Sequence, residues 1–270
     1  IRRGKIQKKG IKLYMIKPIK YFFEAIIIYL FFIIIKITGL NFSRNFFSNI
    51  FKKIGPFVKS KRIIECNLKK FDKNLTNEMK KRIIEDMWSN YGKTFVEYMF
   101  LKKFRQTNEH IQIDGQEILE EVLNKDKPVI FISGHFANFE LMSMEITKKG
   151  IPLAAIYRPL NNFFLNPFME YLRKTYICKN QIKKGRQGVR EAIEFIKDKC
   201  SIALMVDQRV SEGEKINFFN EKCFTTTLPA QLAFKFGLDI IPIFIQRKNK
   251  DFFFIKVHQP IDIKKYENKI

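Results

Sequence analysis

Val129-Ile-Phe-Ile-Ser133-Gly134-His135-Phe-Ala-Asn138-Phe-Glu140-Leu-Met142 is the stretch whose reading decides the fold. The apolar run Val129–Ile132 is short enough for a buried parallel strand, and Phe139, Met142 and Ile146 repeat at helical spacing after it. Strand, tight turn and helix follow one another, with Gly134 expected to let the backbone turn sharply. Residues just past the carboxyl end of such a strand line the crevice where open α/β sheets bind their ligands. The turn also carries a histidine and, five residues on, a carboxylate.

A neutral imidazole takes a proton from an alcohol, and a carboxylate can fix its tautomer and stabilise the imidazolium. His135 and Glu140 are therefore the candidate catalytic pair. Five residues are about 140° apart on a regular helix, so the two meet only if His135 precedes the helix. Spacing alone leaves open a loop histidine with an unrelated solvated glutamate. Outward from this stretch, apolar runs at Leu153–Ile156, Ile202–Val206 and Ile240–Ile245 alternate with helix-like segments at 139–149, 162–174, 186–199 and 228–236. That alternation predicts a mainly parallel central sheet flanked by helices. A last run, Phe252–Val257, follows Ile240–Ile245 after a polar turn and suggests a hairpin. Arg158 follows one strand and Asp207-Gln208 another, as His135 follows the first, so all three places converge on one crevice. Arg158 has the fork geometry for an anionic acceptor. Asp207 is expected either to bond an acceptor hydroxyl or to hold Arg158, Arg173 is a second anion-binding candidate, and Asn138 is placed in the same site as an orienter of the loop.

Gly134-His-Phe-Ala-Asn-Phe-Glu140 resembles the His-x4-Asp/Glu block of the lysophospholipid acyltransferase superfamily. In the version Gly-His-Phe-Gly-Asn-Trp-Glu that block belongs to the bacterial lipid A biosynthesis acyltransferases, the lauroyl and myristoyl transferases, which this stretch resembles. Ile156-Tyr-Arg158-Pro-Leu-Asn-Asn, Met205-Val-Asp207-Gln208, Phe218-Phe-Asn and Thr225-Thr-Thr-Leu-Pro-Ala-Gln-Leu-Ala are similar to further family blocks in the same order. Upstream, Lys61-Arg62-Ile-Ile-Glu-Cys-Asn67-Leu resembles its Arg-x4-Asn-Leu segment. The resemblance implies a glycerolipid acyltransferase-like α/β fold. It implies transfer of a fatty acyl chain from an acyl carrier protein thioester to a hydroxyl of a Kdo-bearing lipid A precursor, without metal or other cofactor. His135 would be the general base, Glu140 its partner, and Arg158, Asp207, Gln208, Arg173 and Asn138 would meet substrate. The acceptor is then an anionic glycolipid and the place of work the cytoplasmic side of the inner membrane. Family members usually continue to a basic, aromatic C-terminal segment, and this chain begins with Ile1, so a fragment at one or both ends is expected.

Charge agrees with a membrane partner. Of the net +23, residues 1–62 hold fifteen Lys or Arg against the single acid Glu24, fifteen less one, or fourteen. Clustered basic charge is what a chain resting on anionic lipid shows, although an A+T-rich coding sequence also enriches Lys. Within it, Ala25–Ile35 is uninterruptedly apolar and reaches spanning length only by accepting Glu24 and Lys36 near its ends. The domains expected are therefore a basic N-terminus and membrane anchor helix (1–42), a helical lead-in (43–110) and the α/β acyltransferase domain (111–270). Within the lead-in, Ser43–Lys61 reads as an amphipathic segment broken at Gly55-Pro56, lying on the bilayer or packed on the domain. Four dispersed cysteines without a Cys-x-x-Cys pair give neither a zinc site nor a disulfide scaffold. Lys183-Lys-Gly-Arg186-Gln-Gly188 lacks the phosphate-loop pattern and is a basic turn that meets an acidic carrier, a headgroup or solvent. Two other readings stay open: a related membrane acyltransferase acting on another glycolipid or phospholipid, such as phosphatidylinositol mannoside, and a non-catalytic basic membrane-tethered binding protein. No nucleic-acid motif supports a nucleic-acid partner.

Overall fold

The computed structural model describes residues 2–125, 127–263 and 265. Ile1 and residues 266–270, on which the expectation of a fragment rests, lie outside them. The chain begins with five helices, α1 (Arg2–Thr38), α2 (Leu40–Val58), α3 (Lys61–Phe71), α4 (Asn77–Glu97) and α5 (Leu101–Gln106). Then strands and helices alternate: β1 (Ile111–Asp114), α6 (Gln116–Asn124), β2 (Ile130–Ser133), α7 (Glu140–Lys148), β3 (Leu153–Tyr157), α8 (Asn166–Tyr176), β4 (Asn180–Lys183), α9 (Arg186–Lys197) and β5 (Ser201–Met205). A hairpin of β6 (Glu214–Phe218) and β7 (Glu221–Thr225) precedes α10 (Leu228–Phe236), β8 (Ile240–Arg247) and β9 (Phe253–Val257).

Seven strands form one sheet in the order β1-β9-β8-β2-β5-β3-β4, and the β8–β9 pair alone among the described strands of that sheet is antiparallel. The expected α/β class and the β8–β9 hairpin are both present. β2 lies at the centre with Ile130 and Phe131 buried, as a strand covered on both faces requires. Alternate residues send the sheet's apolar side chains to opposite faces. On one face Phe131, Leu153 and Ile241 pack with Leu141, Met142, Met169 and Leu172 of α7 and α8. On the other, Ile130, Ala154 and Ile202 pack with Ala192, Ile196, Leu232 and Ala233 of α9 and α10.

Two expectations about helices are corrected. α2 is not broken at Gly55-Pro56 but runs through it to Val58. Pro56 sits in the last turn, where it removes one ladder N–H two residues before the helix ends. Gly55 is needed there because a Cβ would lie 2.1 Å from the Trp88 ring of α4. Gly92 of α4 meets the Phe47 carbonyl in the same way, with a Cβ 2.4 Å away. These two glycines let α2 lie directly on α4, which buries Arg44, Phe47 and Ser48 and leaves Phe42, Phe46 and Phe57 exposed. Nor does the helix expected from 162 begin there. Asn162 accepts from its neighbour Phe164 N at 3.1 Å and donates from Nδ2 to the Tyr21 carbonyl at 2.8 Å, so α8 starts only at Asn166.

α1 contains the segment Lys17–Thr38, 22 residues with a mean hydropathy of 2.1, long and apolar enough to cross a membrane. One stripe of it is buried. Phe32 stacks on Phe95 of α4 at 5.2 Å and Tyr29 meets Phe168 of α8 at 5.7 Å, while Phe22, Phe23, Ile27, Leu30 and Ile33 stay exposed.

Candidate active site

β2, β5 and β3 are neighbours in the sheet, so the residues beyond their carboxyl ends come together as expected. His135 lies two residues past β2 and Asp207 two residues past β5. Their side chains meet: His135 Nδ1 is 2.7 Å from Asp207 Oδ1, and the backbone N–H of His135 donates to Oδ2 at 2.9 Å. With Nδ1 carrying the proton for Asp207, Nε2 keeps its lone pair. Gln208 Nε2 lies 3.4 Å from that nitrogen.

The predicted His135–Glu140 pair is therefore corrected: the carboxylate on the imidazole is that of Asp207. Glu140, in the first turn of α7, is nearly buried and already engaged. Its Oε1 accepts from Arg173 Nε at 2.7 Å, Arg173 Nη2 at 2.6 Å and the Tyr98 hydroxyl at 2.6 Å. Neutralising a buried carboxylate requires such a partner, and the guanidinium of α8 supplies it. Burial, followed by the Glu140 charge, raises the Tyr98 phenol well above its usual value, so it stays a donor. Burial opposes the Arg173 charge, but Glu140 and Tyr98 outweigh it and hold the guanidinium protonated.

The turn itself differs from expectation in which residue bends it. At Gly134 a Cβ would stand 2.8 Å from the Phe136 ring and 3.3 Å from Asp207 Oδ2, so a larger residue would displace that exposed ring. The left-handed residue is Ala137, with φ of 42°. Its carbonyl is held by Asn90 Nδ2 at 3.0 Å and Thr94 Oγ1 at 3.4 Å, both from α4. Asn138 is 1 % exposed and donates from Nδ2 to Glu97 Oε2 at 2.9 Å. Buried behind the loop, it ties the turn to α4, the place expected of a loop orienter, and it does not line the cavity where a substrate contact would stand. Glu97 in turn takes Arg44 Nε at 2.8 Å and both terminal nitrogens of Arg247 at 2.5 and 3.1 Å. Sequence reasoning passed over Glu97 and Arg247. The signal for Glu97 was a lone acid inside the otherwise apolar Phe95-Val96-Glu97-Tyr98-Met99-Phe100 run.

A non-glycine residue in the left-handed region costs roughly 1–2 kcal/mol. Ala137→Gly is accordingly expected to raise stability by about 1 kcal/mol, read as a higher urea midpoint with an unchanged slope. An unchanged or lower midpoint would contradict the assignment of strain to that residue.

A cavity of about 310 Å³ opens in front of the imidazole. His135, Glu140, Arg158, Arg173 and Gln208 all line it, and Ala155, Ile177, Ala203 and Met205 give it an apolar depth. Asp207 and Asn138 stand outside the lining. Arg158 is exposed at the mouth, whereas Arg173 is deep and its Nη1 is buried without a protein partner. Among the described residues no group of His, Cys, Asp and Glu is arranged to hold a metal ion, and all four cysteines are free. The remaining histidine of interest, His110, is pushed down to about 4 by burial and by nearby Lys148, Arg44 and Lys103, and packs on Phe104 away from the site. An oriented imidazole at the lip of a cavity with an apolar interior and two guanidiniums can accept a proton from an alcohol beside an anionic group.

The family model for bacterial lipid A biosynthesis acyltransferases matches residues 12–269. The chain belongs to that family. The match covers most of α1, the helical lead-in and the whole sheet, and the chain is an acyltransferase of the lipid A type. Such an enzyme takes an acyl donor and a glycolipid acceptor. A comparison with curated proteins finds no match.

Proposed function

We propose that the protein transfers a fatty acyl chain from an acyl carrier protein thioester to a hydroxyl of a Kdo-bearing lipid A precursor. The observation that carries the reading is the Asp207–His135 contact at the mouth of the cavity. Nε2 of His135 removes the proton of the acceptor hydroxyl as that oxygen attacks the thioester carbonyl. Asp207 holds the ring in the tautomer that leaves Nε2 unprotonated and stabilises the imidazolium; the same proton then goes to the departing thiolate. The carbonyl C–S bond breaks as the ester C–O bond forms. Gln208 is placed beside Nε2 to orient the hydroxyl, and Arg158 takes an anionic group of the acceptor at the mouth. Glu140 fixes Arg173, whose guanidinium adds positive charge to the cavity lining. Ala155, Ile177, Ala203 and Met205 receive apolar chain.

The chain works at a bilayer, on the cytoplasmic side of the inner membrane. Lys17–Thr38 measures about 33 Å at 1.5 Å per residue, enough for the hydrocarbon core. Its docking along α4, α8 and the 162–164 loop, from Tyr21 to Ile35, supports a deeply interfacial position with the exposed stripe in lipid. Expression in a strain lacking its own secondary acyltransferase tests the whole reading. Mass spectrometry of the lipid A is expected to show one added acyl chain, absent with His135→Ala. An unchanged lipid A profile in the presence of folded protein counts against the acceptor.

A further inference from the structure

A second chamber, of about 280 Å³, adjoins the catalytic cavity and shares Ile156, Lys184, Val210, Thr226 and Leu228 with it. Its far wall is the basic turn Lys183-Lys184-Gly185-Arg186 between β4 and α9, faced by Thr227, Gln231 and one acid, Glu212. The turn is pinned. Lys184 N donates to the Tyr157 carbonyl at 2.9 Å, and a Cβ on Gly188 would stand 2.0 Å from the Lys183 carbonyl, so α9 closes directly onto the turn. Lys183 is partly compensated by Glu170 at 3.7 Å, while Lys184 and Arg186 are exposed. A chamber with cationic walls that shares lining residues with the reaction cavity suits an anionic substituent on a substrate whose reacting group lies at His135.

The topology says which substrate. α9 and α10 cover the sheet face opposite α7 and α8, and α1 rests on the α8 side through Phe168 and Asn162. The chamber therefore faces away from the helix that meets lipid, toward the side from which a water-soluble partner approaches. We propose that it seats the phosphodiester of the phosphopantetheine arm of the acyl-carrier donor, with Lys183, Lys184 and Arg186 also meeting the acidic carrier surface. The inference rests on the thioester-donor reading above and adds the route by which the donor enters. Rim charges of this kind act on encounter and salt dependence more than on the chemical step.

The test is the double variant Lys183→Glu/Arg186→Glu, which leaves Lys184 and the catalytic cavity unaltered. It is assayed with one acyl group on two donors: the acyl carrier protein, and N-acetylcysteamine, which has no phosphate. For the carrier donor kcat/KM is expected to fall about tenfold or more through KM, with a flattened salt dependence. The N-acetylcysteamine thioester and the KM for the glycolipid are expected to stay within about twofold. Equal loss on both donors, a raised KM for the glycolipid instead, or no change on either overturns the proposal. Binding separates this result from the fate of the reaction itself. Whatever the turnover, holo-carrier is expected to bind the unaltered protein more tightly than apo-carrier, a preference that the double variant loses. Equal binding of the two forms overturns the chamber's role. Failure of the unaltered protein to consume either thioester counts against the proposed reaction instead.

Discussion

Asp207→Asn is expected to leave the fold intact and to lower kcat by about 10³- to 10⁴-fold, the scale seen when a carboxylate that sets a catalytic histidine's tautomer is made an amide. The reason is local. One carboxylate holds both Nδ1–H at 2.7 Å and the backbone N–H of the same residue at 2.9 Å, so it fixes ring orientation and tautomer together. An amide presents one oxygen and one N–H group, and the N–H favours the tautomer with the proton on Nε2, where no base remains. KM for either substrate should move little, because Asp207 stands outside the cavity lining. Glu140→Gln provides the contrast. It weakens the hold on Arg173, so its loss is expected in KM as well as kcat, whereas a pure kcat loss as deep as that of Asp207→Asn would restore Glu140 as the partner of the imidazole.

Glu97→Ala is expected to cost about 3–5 kcal/mol of stability, the range for removing one member of a buried ion pair. Glu97 has no exposed surface and neutralises both Arg44 and Arg247, so its loss strands the buried Arg44 guanidinium and leaves Arg247 only the Asp251 carboxylate at 3.7 Å. Thermal or denaturant unfolding checks the magnitude. The same residue carries the loop of the base, through Asn138 at 2.9 Å. Asn138→Ala should therefore reduce activity with a smaller loss of stability, about 1–3 kcal/mol for the partner left unpaired. A Glu97→Ala protein that unfolds at the original midpoint would contradict the network.

The fold was legible because its signals are local. Four all-apolar runs bounded by turn residues announced buried parallel strands, and β2, β3, β5 and β8 stand where those runs lie. β4 escaped because Asn180-Gln181-Ile182-Lys183 is polar, a sheet-edge strand with one buried side chain. β6 and β7 escaped because they form a separate hairpin whose apolar residues, Ile216 and Phe218, stay exposed among charged ones. In the site, position after strand ends identified His135, Arg158 and Asp207-Gln208, since adjacent parallel strands bring those ends together. Partner choice was not legible. Glu140 is five residues from His135 and Asp207 seventy-two, but the first turn of α7 points Glu140 at Arg173 on α8, and only the β2–β5 pairing brings Asp207 to the imidazole. Nor could the support of the loop by α4 be read, because it depends on three side chains of one helix, Asn90, Thr94 and Glu97, meeting two consecutive residues far along the chain.

The central claim, that His135 is the base for acyl transfer, is tested most directly by turnover of purified protein in lipid vesicles with an acyl-carrier thioester and a Kdo-bearing lipid A precursor, unaltered against His135→Ala. The account predicts a loss of at least about 10³-fold in kcat, with the unfolding midpoint and carrier binding preserved. Undiminished transfer by His135→Ala would contradict it.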